Sequence, residues 1–271
     1  MNTLIKAEWL KMRKYIPFWL MIAIIAISFP GINYMFNGEY KEIMSREDSG
    51  GEILKMLVGN PFAFPEAWHT VAFFSSMFIF IPAILVIMFI TNEYTFKTQR
   101  QNIIDGWSRN QFMWSKFIDV MMIALLVTII YTTVCLFIGN TMTDAQGESI
   151  WKQSYYIGLF ALLAFSQLSF AFLVAFLIRK AFISLGVFMF YFLILDNYGS
   201  YMSRKHELGF GKFLPLEISD RMIPVPAFLG KFDEAKYNAA MAEMNSHVIY
   251  SIILTAIIWG LCFYLNKRRD L

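Results

Sequence analysis

"FIFIPAILVIMFITNEYTFKTQRQNIIDGWSRNQFMWSKFIDVMMIALLVTIIY", residues 78–131, sets a polar island, 92–116, between two apolar runs. Each flank is long enough and apolar enough to enter a bilayer. The island is basic and helix-compatible, and it is longer than a connection needs. Its address decides how the rest of the chain is read.

The chain has 271 residues, 58% hydrophobic and 16% charged. A soluble domain carries about 25% charged residues and about 45–50% apolar ones. The apolar excess is gathered into runs of roughly 18–24 residues, the length that crosses about 30 Å of hydrocarbon at 1.5 Å per residue. The composition therefore implies an all-α integral membrane protein, because a lipid-exposed strand would leave backbone groups unpaired. We read one transmembrane domain, 1–271, with six spans at about 17–36, 69–91, 117–139, 155–178, 181–199 and 247–265, and a long irregular segment at 200–246. The fourth and fifth spans are parted only by Arg179, Lys180 and their neighbours, which predicts a tight helical hairpin.

Positive residues gather on one side of this topology. One set of segments holds Lys6, Lys11, Arg13 and Lys14; Lys97, Arg100, Arg109 and Lys116; Arg179 and Lys180; and Lys267, Arg268 and Arg269. The other set holds most of the acids, Glu217, Asp220, Asp233 and Glu234 among them. The positive-inside rule places the basic set, and both termini, in the cytoplasm. The island is then the longest cytoplasmic loop.

Residues 2–14, "NTLIKAEWLKMRK", pattern as an amphipathic interfacial helix, with Leu4, Ile5, Trp9 and Met12 on one face and Lys6, Lys11, Arg13 and Lys14 toward water or headgroups. The stretch is not expected to be a signal peptide, since the following apolar run is too long and no small-residue cleavage site follows it. Pro82, mid-span, predicts a kink in the second span. Within the island, Asp105–Gly106 predicts a turn and Ser108 an N-cap, giving a helix–turn–helix on the cytoplasmic surface. "FLPLEISDRMIPVPAFLG" is apolar but broken by prolines and is expected to dip into the outer leaflet or cover the mouth of the spans. "FDEAKYNAAMAEMNS" reads as helix, with Asp233 and Glu234 opposing its dipole.

These features together resemble the ABC-2-type transporter permeases, the membrane subunits of bacterial ABC exporters. The resemblance rests on the basic entry helix "LIKAEWLKMRKY", the six spans, the large segment before the last span, and a loop of the form E-x-x-x-x-T, short helix, Gly, S-R and a downstream Lys. Those loop residues are Glu93, Thr98, Gly106, Ser108, Arg109 and Lys116. The chain departs from the family in having Lys97–Thr98 and Gly106–Trp107 where Gly-Thr and Pro-Val are frequent.

The resemblance implies that the loop is a coupling helix docking on a separate ATPase, with Lys6, Trp9, Lys11, Arg13 and Lys14 of the entry helix on the same contact surface. It implies two ATPase subunits, which bind ATP and Mg, and a second permease chain as homodimer or related heterodimer, in a bacterial cytoplasmic membrane. The sequence has no G-x-x-x-x-G-K-[ST] phosphate loop, so no catalytic, cofactor or metal residue is expected on this chain.

The remaining side chains bear on cargo and on rival functions. No basic stripe stands apart from the membrane flanks, which argues against nucleic acid. The fourth span carries only Ser166, Gln167 and Ser169 as polar groups. No ionisable group is expected at mid-depth, so an ion or proton route lacks its usual residues. A Phe- and Met-rich path suits an amphiphilic cargo such as a lipid, peptide or antibiotic-like molecule. A sensor or accessory subunit that moves nothing is the alternative. A membrane-embedded enzyme, with a zinc site at His69, His247 and an acid, is weaker because HExxH is absent. Cys135 and Cys262 are expected as free thiols.

Overall fold

The computed structural model describes residues 2–45, 60–143, 150–206 and 209–268, and among these there is no strand. The side chain of Leu4, and Arg269 with its counted charge, lie outside the described set. The chain runs as α1 (Asn2–Lys14), α2 (Ile16–Ser45), α3 (Ala67–Ser76), α4 (Phe80–Thr95), α5 (Thr98–Ile104) and α6 (Arg109–Met142). It continues as α7 (Tyr155–Ile178), α8 (Ala181–Phe190), α9 (Asp196–Lys205), α10 (Pro215–Asp220), α11 (Ala227–Gly230) and α12 (Glu234–Arg268). One wide π-type turn, Tyr191–Leu195, joins α8 to α9 without ending the helix.

Five helical stretches are long and apolar enough to cross a membrane, and α3 with α4 makes a sixth span bent by 49°. The bend lies at Met77–Ile79, just before Pro82. Proline removes its own N–H bond and crowds the carbonyl four residues back, so the break appears one turn N-terminal to Pro82.

Of the five unbroken spans α7 is the most enclosed, with 61% of its apolar window buried, whereas the stretch Ala181–Ser203 has 17% buried and lies at the edge. Around α7 pack α3, α4, α6, α8, α10 and α12. Aromatic side chains fill the centre: Tyr131 of α6 stacks on Phe160 of α7 at 4.3 Å, and its hydroxyl donates to the Trp68 carbonyl of α3 at 2.8 Å. Cys135 and Cys262 are buried free thiols.

The basic segments do share one end of the bundle, here called the near end. Lys11 of α1 reaches Glu93, Arg109 reaches the Lys267 carbonyl at 2.8 Å, and the Arg179 guanidinium lies 5.0 Å from the Tyr94 ring. At the far end His69 Nε2 meets the Pro224 carbonyl at 2.7 Å.

Three features differ from the sequence reading. First, α1 does not turn an all-apolar face inward: Glu8 and Met12, one turn apart, are buried, while Ile5, Trp9 and Leu10 are exposed. A buried charge partner, described below, overrides the hydrophobic stripe. Second, the last span is not a separate unit after a surface helix. α12 runs unbroken from Glu234 to Arg268, and Asp233 caps it by accepting from Lys236 N at 3.1 Å.

Third, an acid from outside the spans, itself exposed, meets the middle of one of them. α10 folds back into the bundle, and Gln167, midway along α7, donates to Ser219 Oγ at 3.1 Å and to Asp220 Oδ1 at 2.7 Å. Gln167 stands about 17 Å from the near end of α7 at 1.5 Å per residue. A segment between two spans thus supplies the acid that the spans themselves lack.

Close packing at the far end requires a glycine at position 139. The ring of Phe64 lies against the backbone of Gly139 where any Cβ would overlap it, whereas Gly158 has open space around its own position. We expect Gly139→Ala to cost about 1–3 kcal/mol by overpacking and Gly158→Ala to cost little, compared by thermal unfolding in detergent.

Candidate functional site

The polar island folds as two sharp turns around α5. Phe96–Lys97 makes the first, with Lys97 in the left-handed region at φ 56°. Gly106, at φ +100°, makes the second. There the Trp107 N–H bonds to the Asn102 carbonyl at 3.0 Å and the Gly106 N–H to Ile103 at 3.1 Å, a Schellman closure of α5. A side chain rarely adopts that φ, which is why glycine stands at this position.

Ser108 then opens α6 with a full capping box: its Oγ accepts from Gln111 N at 3.1 Å, and Gln111 Oε1 accepts from Ser108 N at 2.8 Å. Thr98 Oγ1 donates to the Glu93 carbonyl at 3.4 Å, tying the start of α5 to the end of α4.

Beneath the loop lies a buried ionic cluster. Lys116, 1% exposed, donates to Glu93 Oε1 at 2.7 Å, Asp119 Oδ2 at 2.8 Å and Glu8 Oε2 at 3.1 Å. An ammonium has three donors, and here each has a carboxylate. Lys11 adds contacts to Glu8 at 2.9 Å and Glu93 at 3.4 Å. The Lys116 ammonium also stands 5.3 Å from the Phe89 ring and 5.5 Å from Phe112. Burial pushes the Glu8 carboxyl up, but the charges of Lys116 and Lys11 more than reverse this and hold it below the ordinary glutamate value. Three helices, α1, α4 and α6, thereby meet at one cation.

A second link runs from the loop to the last helix. Arg109 Nη1 donates to the Lys267 carbonyl at 2.8 Å, and Asn266 Nδ2 donates to the Arg109 carbonyl at 2.8 Å. A guanidinium at the C-terminal carbonyls of α12 also complements that helix's dipole.

The residues singled out in the sequence fall into two groups. Glu93 and Lys116 are buried and hold the loop from within, and Lys11 sits half-buried at the rim of the same cluster. Thr98, Gly106, Ser108 and Arg109 shape the loop and tie it down. Lys6, Arg13 and Lys14 are exposed, and Trp9 packs edge-on against Phe18 at 6.3 Å.

Four contributors were not anticipated: Glu8, Asp119, and the apolar side chains of Phe96 (72% exposed) and Ile104 (83% exposed) at the loop tip. The i,i+3 spacing of Lys116 and Asp119 was the available signal for one of them. Among the described residues no three His, Cys, Asp or Glu side chains converge as a metal group.

A family model described as ABC-2 family transporter protein matches residues 4–195, which takes in α1, the loop, the cluster and the spans through α8. Comparison with curated proteins gives no match.

Removing the cation would strand three buried carboxylates. We expect Lys116→Met to destabilise the protein by about 3–5 kcal/mol, and the added pair Glu93→Gln and Asp119→Asn to restore part of that loss. Melting curves of the purified variants check this, and an unchanged midpoint for Lys116→Met would show that the cluster holds nothing.

Proposed function

The chain belongs to the ABC-2 family of transporter proteins as a membrane-embedded permease subunit of an ABC transporter, and we propose that α5 and its flanking turns are the handle by which an ATPase partner moves it. The observation that carries this reading is the combination of a presented tip and a rigid mount. Phe96 and Ile104 stand exposed beyond the bundle, while Lys116 locks the loop base to α1 and α4, and Arg109 locks it to α12. An apolar knob on a fixed base is what a groove on a partner needs in order to push without the loop yielding. The exposed bases of α1, Lys6, Arg13 and Lys14, lie at the same end and extend the contact surface.

The charge distribution supports a near end facing the cytoplasm; under the same reading the membrane is a bacterial inner membrane, and ATP and Mg are held by two ATPase chains. A second permease chain completes the assembly along the apolar face of Ala181–Ser203, where Phe182, Val187 and Leu193 are exposed among the described residues. The direction is export and the cargo an amphiphile, in keeping with the apolar, Phe-rich spans and the amphipathic cavity at the far end.

Coexpression with the ATPase tests the handle. Ile104→Asp paired with Phe96→Asp is expected to lower ATPase co-purification at least tenfold with an unchanged melting midpoint. Arg109→Glu is expected to leave the complex assembled but to uncouple ATP hydrolysis from transport. Normal assembly in the double variant would remove the handle from this loop.

A further inference from the structure

At the far end α10, the stretch 221–225, α11 and the first turns of α12 enclose a cavity of about 650 Å³, floored in part by Phe73 of α3. That volume falls in the ordinary range for small-molecule sites, about 300–1,000 Å³. Its walls are amphipathic. Ile223, Val225, Leu229 and Tyr237 supply apolar surface, and four carboxylates, Glu217, Asp220, Asp233 and Glu243, face it with two fixed cations, Arg221 and Lys236.

The cations are already engaged. Arg221 lies between Glu217 at 2.9 Å and Glu243 at 3.6 Å, and Lys236 pairs with Asp233 at 2.6 Å. Asp220 has no cation: among the described residues its partner is the neutral amide of Gln167 at 2.7 Å. It sits at the C-terminal tip of α10, exposed to the cavity and against the middle of α7.

A second group on the wall also lacks a partner. His247 is 1% exposed and lines the cavity, and its Nδ1 makes no hydrogen bond. Its Nε2 lies 3.6 Å from Glu243 Oε2. With the proton on Nε2, beside that carboxylate, Nδ1 is an acceptor. The cavity therefore offers one carboxylate without a counter-charge, one unpaired acceptor and an apolar wall. An anion would meet a surplus of carboxylates. A metal ion would find too few ligands, since among the described residues no three metal-type side chains converge.

We propose that this cavity binds an amphiphilic amine, its ammonium head against Asp220 and its apolar body along Ile223, Leu229 and Tyr237. Asp220 is open to the cavity with no counter-charge beside it among the described residues, so an ammonium can reach it and gain Coulomb energy in a partly enclosed site while the apolar body leaves water. The proposal gives a chemical class to the cargo of the transport reading and rests on that reading for the ligand's role as cargo. Binding is measured on the permease alone, so its failure would leave the coupling loop untouched, and failed coupling would leave the cavity untouched.

The test uses the full chain in phosphatidylcholine nanodiscs and the fluorescent amine dansylcadaverine, with its N-acetyl derivative as the neutral match and empty discs as the partition control. The amine is expected to bind saturably and at least tenfold more tightly than the acetyl form. Asp220→Asn is expected to weaken it at least tenfold, and Glu39→Gln, exposed on α2 and outside the cavity lining, to leave it unchanged.

Because Asp220→Asn could disturb the seating of α10, a second pair keeps the test decisive. Ala240 lines the cavity from an exposed position on α12. Ala240→Lys is expected to abolish amine binding, and Ala240→Gln to preserve it. Discs containing phosphatidylethanolamine separate the sources: loss of probe binding identifies a lipid headgroup amine as the occupant, and retention identifies a free amphiphile. Equal binding of the two dansyl compounds, or wild-type affinity in both Asp220→Asn and Ala240→Lys, would overturn the proposal.

Discussion

Lys116 is a full charge with 1% of its surface exposed. Stripping water from an ammonium costs several kcal/mol even after the protein relaxes, so it is stable there only while carboxylates face it on every open side. Those carboxylates arrive from three places: Glu8 on α1, Glu93 at the end of α4, and Asp119 one turn further along α6. None of the helices can slip by a residue without leaving a buried charge unpaired. A purely apolar contact would tolerate such a slip, because one Leu or Phe replaces another at small cost. What the cluster contributes is thus register more than net stability. It fixes where α1 enters, where α4 stops, and how α6 begins, and these three decisions define the loop between them.

The loop's own chemistry completes that arrangement with local means. Gly106 permits the positive φ, Ser108 and Gln111 satisfy the open N–H groups of α6, and Thr98 closes the other turn. Each is a short-range device readable from neighbours in sequence, and each works only because the cluster has placed the ends of α4 and α6 correctly. Local and tertiary determinants agree here, as in a minimally frustrated fold.

This division explains what was legible in the sequence. The spans were visible because hydrocarbon thickness imposes a length, and the common end of the basic segments because charge sorting imposes a side. The Asp105–Gly106 turn and the Ser108 cap followed from residue chemistry alone. Glu8 was not visible as a core residue, since a lone acid among lysines on a short helix looks like a solvated position. Its burial depends on Lys116, more than a hundred residues away. The re-entry of α10 was hidden for a related reason. "PLEISD" is too short and too polar to show periodicity, and its neighbouring prolines mark breaks without saying which way the chain turns. The depth it reaches is set by Gln167 on another helix. The bend of the second span was legible in kind, and its position differed because proline acts on the turn before it.

One helix joins the two ends that carry chemistry. α12 holds Glu243 and His247 at the cavity and Asn266 and Lys267 at the loop, with no break between Glu234 and Arg268. A regular helix resists compression and shear along its axis, because each turn is closed by its own hydrogen bonds. The loop therefore cannot move relative to the bundle by more than side-chain play unless α12 moves with it or the bonds between Arg109, Asn266 and Lys267 break. Midway, Trp259 Nε1 donates to Ser169 Oγ at 2.9 Å, and its ring stacks on Phe172 at 4.7 Å, so α12 is keyed to α7 as well. Since α7 also carries Gln167, the contact of Asp220, any tilt of α12 against α7 changes the shape of the cavity at that wall. The fold thus leaves a push on the near end with few routes, and the stiffest of them leads to the acid at the far one.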